Sequence, residues 1–132
     1  MKKILFVCVE NSNRSQMAEA FARIHGKNRI EAYSAGSKPS GLINPKAVAA
    51  MNEIDYKLSA HHSKSLDEVK NFAPFDVVVT MGCGDACPWM PAKHFQDWQI
   101  QDPRNMAEAD FRTVRDEIEE KVKALVQQLL ET

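Results

Sequence analysis

The chain has 132 residues, which is enough for one domain with one hydrophobic core. Apolar residues make up 44% and charged residues 27%, as is typical of soluble globular proteins. The formal net charge of −1 provides no overall field that would favour nucleic acid or a membrane surface. Lys2 and Lys3 precede only five apolar residues, too few for a secretory signal or a bilayer span. We therefore expect one cytoplasmic domain over residues 1–132, monomeric and without a nucleic-acid or membrane partner.

The elements are predicted from hydrophobic periodicity, β-branched runs and the positions of glycine and proline. The clearest strand signal is the β-branched run before Thr80, and the clearest helix signal is an apolar stripe from Phe111 to Leu129. In chain order, we expect a strand over 4–7, a helix over 16–24, a strand over 30–35, a loop over 39–45, a helix over 45–52 capped by Asn44, a short helix over 65–69, a strand over 75–80, a loop over 81–91, a short strand over 94–99 and a long helix after Pro103.

Strands that alternate with helices predict a parallel sheet covered on both faces. We therefore expect an α/β fold, a three-layer sandwich with a four-stranded parallel sheet flanked by helices. In such sheets the ligand site lies at the carboxyl ends of the strands. All three cysteines, Cys8, Cys83 and Cys87, fall in loops that leave this edge. An odd number of cysteines in a reducing compartment argues against structural disulfides and favours catalysis or metal binding.

The segment after the first strand has the composition of an oxyanion-binding loop. Five residues separate Cys8 from Arg14, Ser15 follows, and a helix is predicted next. If the loop wraps around one point, its backbone N–H groups form a nest for an anion beside the positive helix N-terminus. Arg14 could grip two oxygens, and the surroundings favour the nucleophilic thiolate of Cys8, to which Ser15 could donate a hydrogen bond. The predicted substrate-binding residues are Val9, Glu10, Asn11, Ser12, Asn13 and Arg14.

These residues resemble a known family. The pattern Cys8-x5-Arg14-Ser15 after the first strand is similar to the phosphate loop of low-molecular-weight protein tyrosine phosphatases. The string from Asn11 to Ala20 (NSNRSQMAEA) more closely resembles the arsenate reductases that share that fold. The resemblance covers essentially the whole chain, including Ser34-Ala35-Gly36 and Asp102-Pro103. It implies that the substrate is arsenate, with phosphate or sulfate as analogues, and that no cofactor is needed.

The resemblance also implies the general acid. Both branches of the superfamily use an aspartate followed by proline late in the chain, and the matching pair here is Asp102-Pro103. A carboxylic acid at that place would protonate the oxygen that the thiolate expels. Asp97 is a weaker rival because it should point along a strand, and Asp85 remains a third candidate. Arg104 is expected to face the pocket.

The segment from Thr80 to Pro88 (TMGCGDACP) resembles the redox loop of thioredoxin-coupled arsenate reductases. The resemblance implies a relay in which Cys8 attacks arsenate, Cys83 attacks Cys8 and releases arsenite, and Cys87 attacks Cys83. Thioredoxin would then reduce the Cys83–Cys87 disulfide, and it is favoured over glutaredoxin because an internal cysteine pair completes a protein disulfide. The three residues between Cys83 and Cys87 are few for this family, so the loop would have to unwind locally.

Other interpretations of these cysteines stay open at this point. Cys83, Cys87 and His94 have spacing that zinc permits, although no fourth ligand is evident, and the cysteines could simply pack. The first alternative function is a tyrosine phosphatase, which needs Cys8, Arg14 and Asp102 only. A non-catalytic oxyanion-binding or redox-sensing module is the third class of function.

Some arsenate reductases of this type bind potassium near the loop. Asn11, Glu19 and Ser34 match three of the ligands, and the fourth position falls at Lys64. We therefore expect that no metal is bound and that the Lys64 ammonium takes the cation's place; the alternative is a solvated lysine. Surface or loop positions are expected for His25, His61, His62 and His94, and packing roles for Trp89 and Trp98.

Overall fold

The computed structural model describes residues 1–82 and 90–131. The predictions for Cys83, Asp85, Cys87 and Trp89 therefore lie outside the described residues. Within them, the strands are β1 (Lys2–Cys8), β2 (Ile30–Gly36), β3 (Phe75–Thr80) and β4 (Ala92–Asp97), and the α-helices are α1 (Arg14–Gly26), α2 (Pro45–Asn52) and α3 (Glu108–Leu130). Short 3-10 turns cover Lys27–Arg29, Leu58–Ala60, Leu66–Glu68 and Lys70–Phe72.

The strands form a four-stranded sheet in the order β2-β1-β3-β4, and every pairing is parallel. The register places Phe6 opposite both Ser34 and Val79, so β1 is a central strand. Residues 4–8 are all buried, as expected of a parallel strand that is covered on both faces. The predicted α/β fold with a four-stranded parallel sheet is confirmed.

The two faces of the sheet are covered differently. One face carries Ile4, Phe6 and Val79 and packs into a single core with residues of all three α-helices. The other face carries Leu5, Val7 and Val78 and is covered by the 3-10 turns around Val69 rather than by an α-helix. A capping box supports the first of these turns, because Ser65 N donates to Glu68 Oε2 at 2.9 Å. The sandwich thus keeps three layers, one of them built mainly from single turns.

The element bounds agree with the sequence prediction to within about two residues for β1, α1 and β2, whereas β4 is displaced as a whole by two residues. This strand runs from Ala92 to Asp97 and not from 94 to 99, because it pairs with the full length of β3, from Phe75 opposite Ala92 to Thr80 opposite Asp97. The α2 prediction is confirmed with its cap: Asn44 Oδ1 accepts from Lys46 N at 2.9 Å. Among the described residues, no helix combines the length and apolar character that crossing a bilayer requires.

The apolar stripe of α3 packs into the core, and its residue Ile118 provides a test of that packing. Ile118 is fully buried in the core that α3 shares with α1, α2 and one face of the sheet. We expect Ile118→Ala to lower the free energy of unfolding by about 2–5 kcal/mol, since it leaves a cavity. The matched control is Glu117→Ala on the exposed face of the same helix, which should change that free energy by less than about 0.5 kcal/mol. Urea unfolding followed by circular dichroism measures both; equal effects would contradict the assigned packing.

Candidate active site

Residues 8–15 connect the end of β1 to the start of α1, and the carbonyl groups of residues 8–12 point out of this loop. Five consecutive carbonyl oxygens, from residue 8 to residue 12, accept hydrogen bonds from groups outside the loop. The donors are Ser37 N to Cys8 O (3.2 Å), Lys38 N to Val9 O (2.8 Å), Ser40 N to Glu10 O (3.1 Å), Gln16 Nε2 to Asn11 O (3.1 Å) and Asn44 N to Ser12 O (3.1 Å).

This outward orientation determines where the loop's N–H groups point. In a planar trans peptide the N–H lies opposite to the C=O, so the N–H groups of residues 9–13 point away from these donors. They therefore face the pocket enclosed by the loop, at the N-terminus of α1. Inward N–H groups at the positive end of a helix form an anion site. The geometry thus agrees with the oxyanion loop predicted from the sequence.

Asn11 holds the loop in its curved shape. Its φ of 52° lies in the left-handed region, which asparagine tolerates better than most residues, and it is fully buried. Its Nδ2 donates to Ser15 Oγ at 2.7 Å, while its Oδ1 accepts from Gln16 Nε2 at 2.8 Å and from Lys64 N at 3.0 Å. Every polar atom of the side chain is therefore occupied inside the fold, and Asn11 acts as a brace for the loop.

The nucleophile candidate, Cys8, is 3% exposed at the end of β1. Its Sγ lies 2.8 Å from Ser15 Oγ, in a contact where either atom could donate. Because Asn11 Nδ2 already donates to that oxygen, the hydroxyl proton is free to point toward the sulfur. A thiolate at Cys8 would be stabilised by this contact.

Arg14 and Asp102 meet at the same pocket. Arg14 Nη1 donates to Ile100 O at 3.0 Å, and Nη2 lies 3.8 Å from Asp102 Oδ2. Asp102 Oδ1 accepts from Arg104 N at 3.1 Å, and its side chain is 41% exposed. The pocket has a volume of about 190 Å³ and is lined by Cys8, Val9, Glu10, Ser12, Asn13, Arg14, Asp102 and Arg104. Asp102 thus lies where an acid could reach a bound oxyanion.

Two other candidates do not join this pocket. Asp97 lies at the end of β4, where its Oδ1 accepts from Thr80 Oγ1 at 2.7 Å. His94, proposed for a zinc site, is exposed on β4. Within residues 1–82 and 90–131, no group of three or more histidine, cysteine or acidic side chains is placed to hold a metal ion.

Lys64 extends its ammonium into the predicted cation position. Its Nζ lies 3.6 Å from Glu19 Oε1, 3.3 Å from Ser34 Oγ and 3.3 Å from His62 O. Ser34 Oγ also donates to Glu19 Oε1 at 2.6 Å. Arg23 Nε donates to the other carboxylate oxygen, Oε2, at 3.0 Å, so Lys64 shares Glu19 with a second cation. Asn11 differs from the expectation, because its Oδ1 meets the main-chain N–H of Lys64 and not the ammonium.

The sequence patterns did not identify Gln16 or the burial of His61. His61 lies in a loop, as expected, but only 8% of its side chain is exposed. Its Nδ1 lies 3.0 Å from Gln16 Oε1 and its Nε2 lies 2.7 Å from Tyr56 Oη. Gln16 in turn donates to Asn11 and to His62 O. The contact between His61 and Gln16 joins segments that lie 45 residues apart, so it has no local sequence signal. The one indication is that Gln16, a polar residue, lies in the first turn of α1.

The segment that follows β3 lies close to Arg14, and this contact can be tested at Gly82, which directly precedes Cys83. Gly82 has a φ of 82°, and a Cβ at this position would lie 2.6 Å from Arg14 Nη1. We expect Gly82→Ala to weaken the binding of inorganic phosphate, measured by calorimetry, because the new methyl group displaces the guanidinium. Gly41→Ala is the matched control, since Gly41 has a φ of 81° but open space around it. Equal phosphate affinity in the two variants would contradict the contact.

The buried His61 predicts a pH dependence of stability. Burial lowers the pKa of His61 below its usual value, and this outweighs the opposing effect of Glu19. The unfolded histidine takes up its proton near pH 6.5, above the folded pKa, so the free energy of unfolding falls as the pH drops below about 6.5.

We expect His61→Gln to lose part of this decline, measured by urea unfolding at several pH values between neutral and mildly acidic. His62→Gln is the control, because the His62 side chain is 70% exposed. A pH profile of His61→Gln that matches the parent protein would count against a buried, neutral His61.

Comparison with known proteins agrees with this geometry. The family described as low molecular weight phosphotyrosine protein phosphatase matches residues 3–132. The chain is 40% identical over 131 residues to a Synechocystis protein named glutaredoxin arsenate reductase, covering 96% of this chain and 97% of that one. A solved arsenate reductase in its phosphate-binding state superposes with a TM-score of 0.88 at 39% identity, covering 97% of this chain and 98% of that one.

A second solved structure is of a protein whose name includes its reductant. It is a thioredoxin-dependent arsenate reductase of Corynebacterium glutamicum, with a TM-score of 0.81 and 33% identity over 100% of this chain and 64% of that one. The fold, the loop from Cys8 to Arg14 and the relatives all indicate the same family, and the matches cover almost the whole sequence. The chain belongs to the low molecular weight phosphotyrosine protein phosphatase family.

Proposed function

We propose that this chain reduces arsenate to arsenite, with Cys8 as the nucleophile and Cys83 and Cys87 as the thiols that follow. The observation that carries the proposal is the position of Gly82 against Arg14, since the residue directly before Cys83 adjoins the loop that presents Cys8. Relatives named arsenate reductases, at about 40% identity over most of the chain, support the same function.

The first step forms a sulfur–arsenic bond. The Cys8 thiolate attacks As(V) in a tetrahedral oxyanion held by the inward N–H groups and Arg14. One arsenic–oxygen bond breaks, and the departing hydroxide takes a proton from Asp102 and leaves as water. Arsenic stays in the +5 state, and Ser15 stabilises the thiolate before the attack. Val9, Glu10, Asn11, Ser12 and Asn13 supply the loop that holds the oxyanion.

The next steps transfer two electrons. The Cys83 thiolate attacks Cys8 Sγ and forms a disulfide, while the electron pair of the sulfur–arsenic bond passes to arsenic and arsenite leaves. The Cys87 thiolate then attacks Cys83 Sγ, which frees the Cys8 thiolate and forms a Cys83–Cys87 disulfide. An external dithiol protein reduces that disulfide and closes the cycle.

Thioredoxin is the proposed reductant. A disulfide within the chain is the substrate that a dithiol protein reduces by exchange, and one solved relative is named thioredoxin-dependent. The Synechocystis relative is named for glutaredoxin, so glutaredoxin is the alternative to compare in the same assay. The relay needs reduced thiols at rest, which supports a cytoplasmic location, and we infer that a monomer holds the complete site.

Hydrolysis of phosphate monoesters is the second candidate function. The description of the family and the cluster of Cys8, Arg14 and Asp102 favour it. Gln101 and Arg104 flank Asp102 where a phosphatase of this family would place aromatic residues for an aryl substrate. We therefore rank hydrolysis below arsenate reduction.

The two functions separate on the cysteines. We expect Cys83→Ser and Cys87→Ser each to abolish repeated arsenate turnover with thioredoxin, since each breaks one thiol exchange. Hydrolysis of p-nitrophenyl phosphate should persist in both, because it needs only Cys8, Arg14 and Asp102. Cys8→Ser is the control that should lose both activities. Normal arsenate reduction over many turnovers in either cysteine variant would overturn the relay.

We also propose that the Lys64 ammonium replaces a potassium ion. It fills the space beside Glu19 Oε1 and Ser34 Oγ, while Arg23 pairs with Glu19 Oε2. Arsenate reduction should therefore not change when sodium is replaced by potassium at constant ionic strength. Lys64→Ala should become responsive to potassium, whereas Lys70→Ala, which removes an exposed lysine, should not. A severalfold stimulation of the parent protein by potassium would exclude this role for Lys64.

A further inference from the structure

Two partly exposed side chains that line the pocket form an ion pair, and we call this exposed edge of the pocket its mouth. Glu10 lies in the oxyanion loop two residues after Cys8, and Arg104 lies two residues after Asp102. The Arg104 guanidinium donates from Nη1 to Glu10 Oε2, and both side chains line the pocket. Glu10 lies in the connection from β1 to α1 and Arg104 in the connection from β4 to α3, so we infer that their contact lies across the path by which a substrate enters.

Both ends of this bridge are held by the surrounding framework. The carbonyl of Glu10 accepts from Ser40 N at 3.1 Å and from Ser63 Oγ at 2.9 Å. The carbonyl of Arg104 accepts from Lys46 Nζ at 3.4 Å, and Arg104 N donates to Asp102 Oδ1 at 3.1 Å. The main chain at each end is therefore positioned, and only the two side chains are free to part.

We propose that the Glu10–Arg104 pair determines specificity by favouring free inorganic oxyanions over their monoesters in this pocket. The proposal deepens the proposed function, because it names what separates arsenate from phosphate monoesters at the same loop. The pocket holds about 190 Å³, below the roughly 300–1,000 Å³ of sites that enclose drug-sized ligands. An ester would have to carry its organic group out between the two paired side chains, whereas a free oxyanion has no such group.

The charges of the pair give opposite effects when each is removed. In the closed pair, Arg104 neutralises the Glu10 carboxylate beside an anion site. Without Arg104, an unpaired carboxylate would repel the oxyanion over a distance well within a Debye length of about 8–10 Å. Without the Glu10 charge, a freed guanidinium would attract it. Either loss opens the mouth, so both variants should favour the ester over the inorganic ion.

The test measures binding without turnover. In a Cys8→Ser background, calorimetry gives Kd for inorganic phosphate and for phenyl phosphate in the parent, Glu10→Gln and Arg104→Gln. We expect Glu10→Gln to tighten and Arg104→Gln to weaken inorganic phosphate binding, each by about two- to fivefold, as for a partly exposed ion pair. In both variants the preference for phenyl phosphate over inorganic phosphate should rise relative to the parent.

A matched control is Glu120→Gln, which breaks the exposed pair with Lys123 on α3 and should leave both affinities unchanged. The proposal is overturned if the ratio of the two affinities stays at the parent value in both variants. It is equally overturned if phenyl phosphate binding stays undetectable in all of them. Failure of arsenate reduction would be a separate result, because these affinities are read without any reduction step.

Discussion

The outward hydrogen bonding of the carbonyls of residues 8–12 is the constraint on which the rest of the site depends. The segment over residues 37–44 supplies four of the five donors, so the loop after β2 shapes the loop after β1. Gly36 makes this approach possible, since a Cβ there would lie 2.5 Å from Val9 O. The parallel pairing of β1 with β2 places the two loops side by side. The proposed anion site thus depends on hydrogen bonds made on the outer surface of the loop.

Three parts of the proposed chemistry depend on this hydrogen-bonded loop: the nucleophile, the acid and the approach of the further cysteines. Asn11, braced by Gln16 and Lys64, fixes Ser15 beside the sulfur of Cys8. Arg14 faces Asp102 across the pocket at 3.8 Å, so nucleophile, anion clamp and acid surround one small volume. The end of β3 approaches the same arginine at Gly82, just before the first of the two further cysteines. The proposed attack and protonation therefore share one pocket, and the segment that leads to Cys83 borders Arg14.

Sequence patterns predicted the features that depend on local order. The alternation of strands and helices predicted the sheet, and the spacing from Cys8 to Arg14 predicted the loop. Both signals depend only on residues that are close to each other in the sequence. The contacts of His61 and Gln16, and the bridge from Glu10 to Arg104, join segments 45 and 94 residues apart and have no local signature. The ends of β4 were shifted because its length is set by pairing with β3 and not by its own residues. Long-range partners therefore account for what the patterns did not predict.

The proposed mechanism requires that Cys83 attacks Cys8 Sγ in the arsenic adduct, so that arsenite leaves and a Cys8–Cys83 disulfide forms. A single-turnover experiment on Cys87→Ser tests it most directly: the fully reduced variant is mixed with one equivalent of arsenate without other thiols, then alkylated and mapped by mass spectrometry. The expected products are a Cys8–Cys83 disulfide and one equivalent of arsenite. Arsenite without that disulfide, or two alkylated thiols with unchanged arsenate, would contradict it.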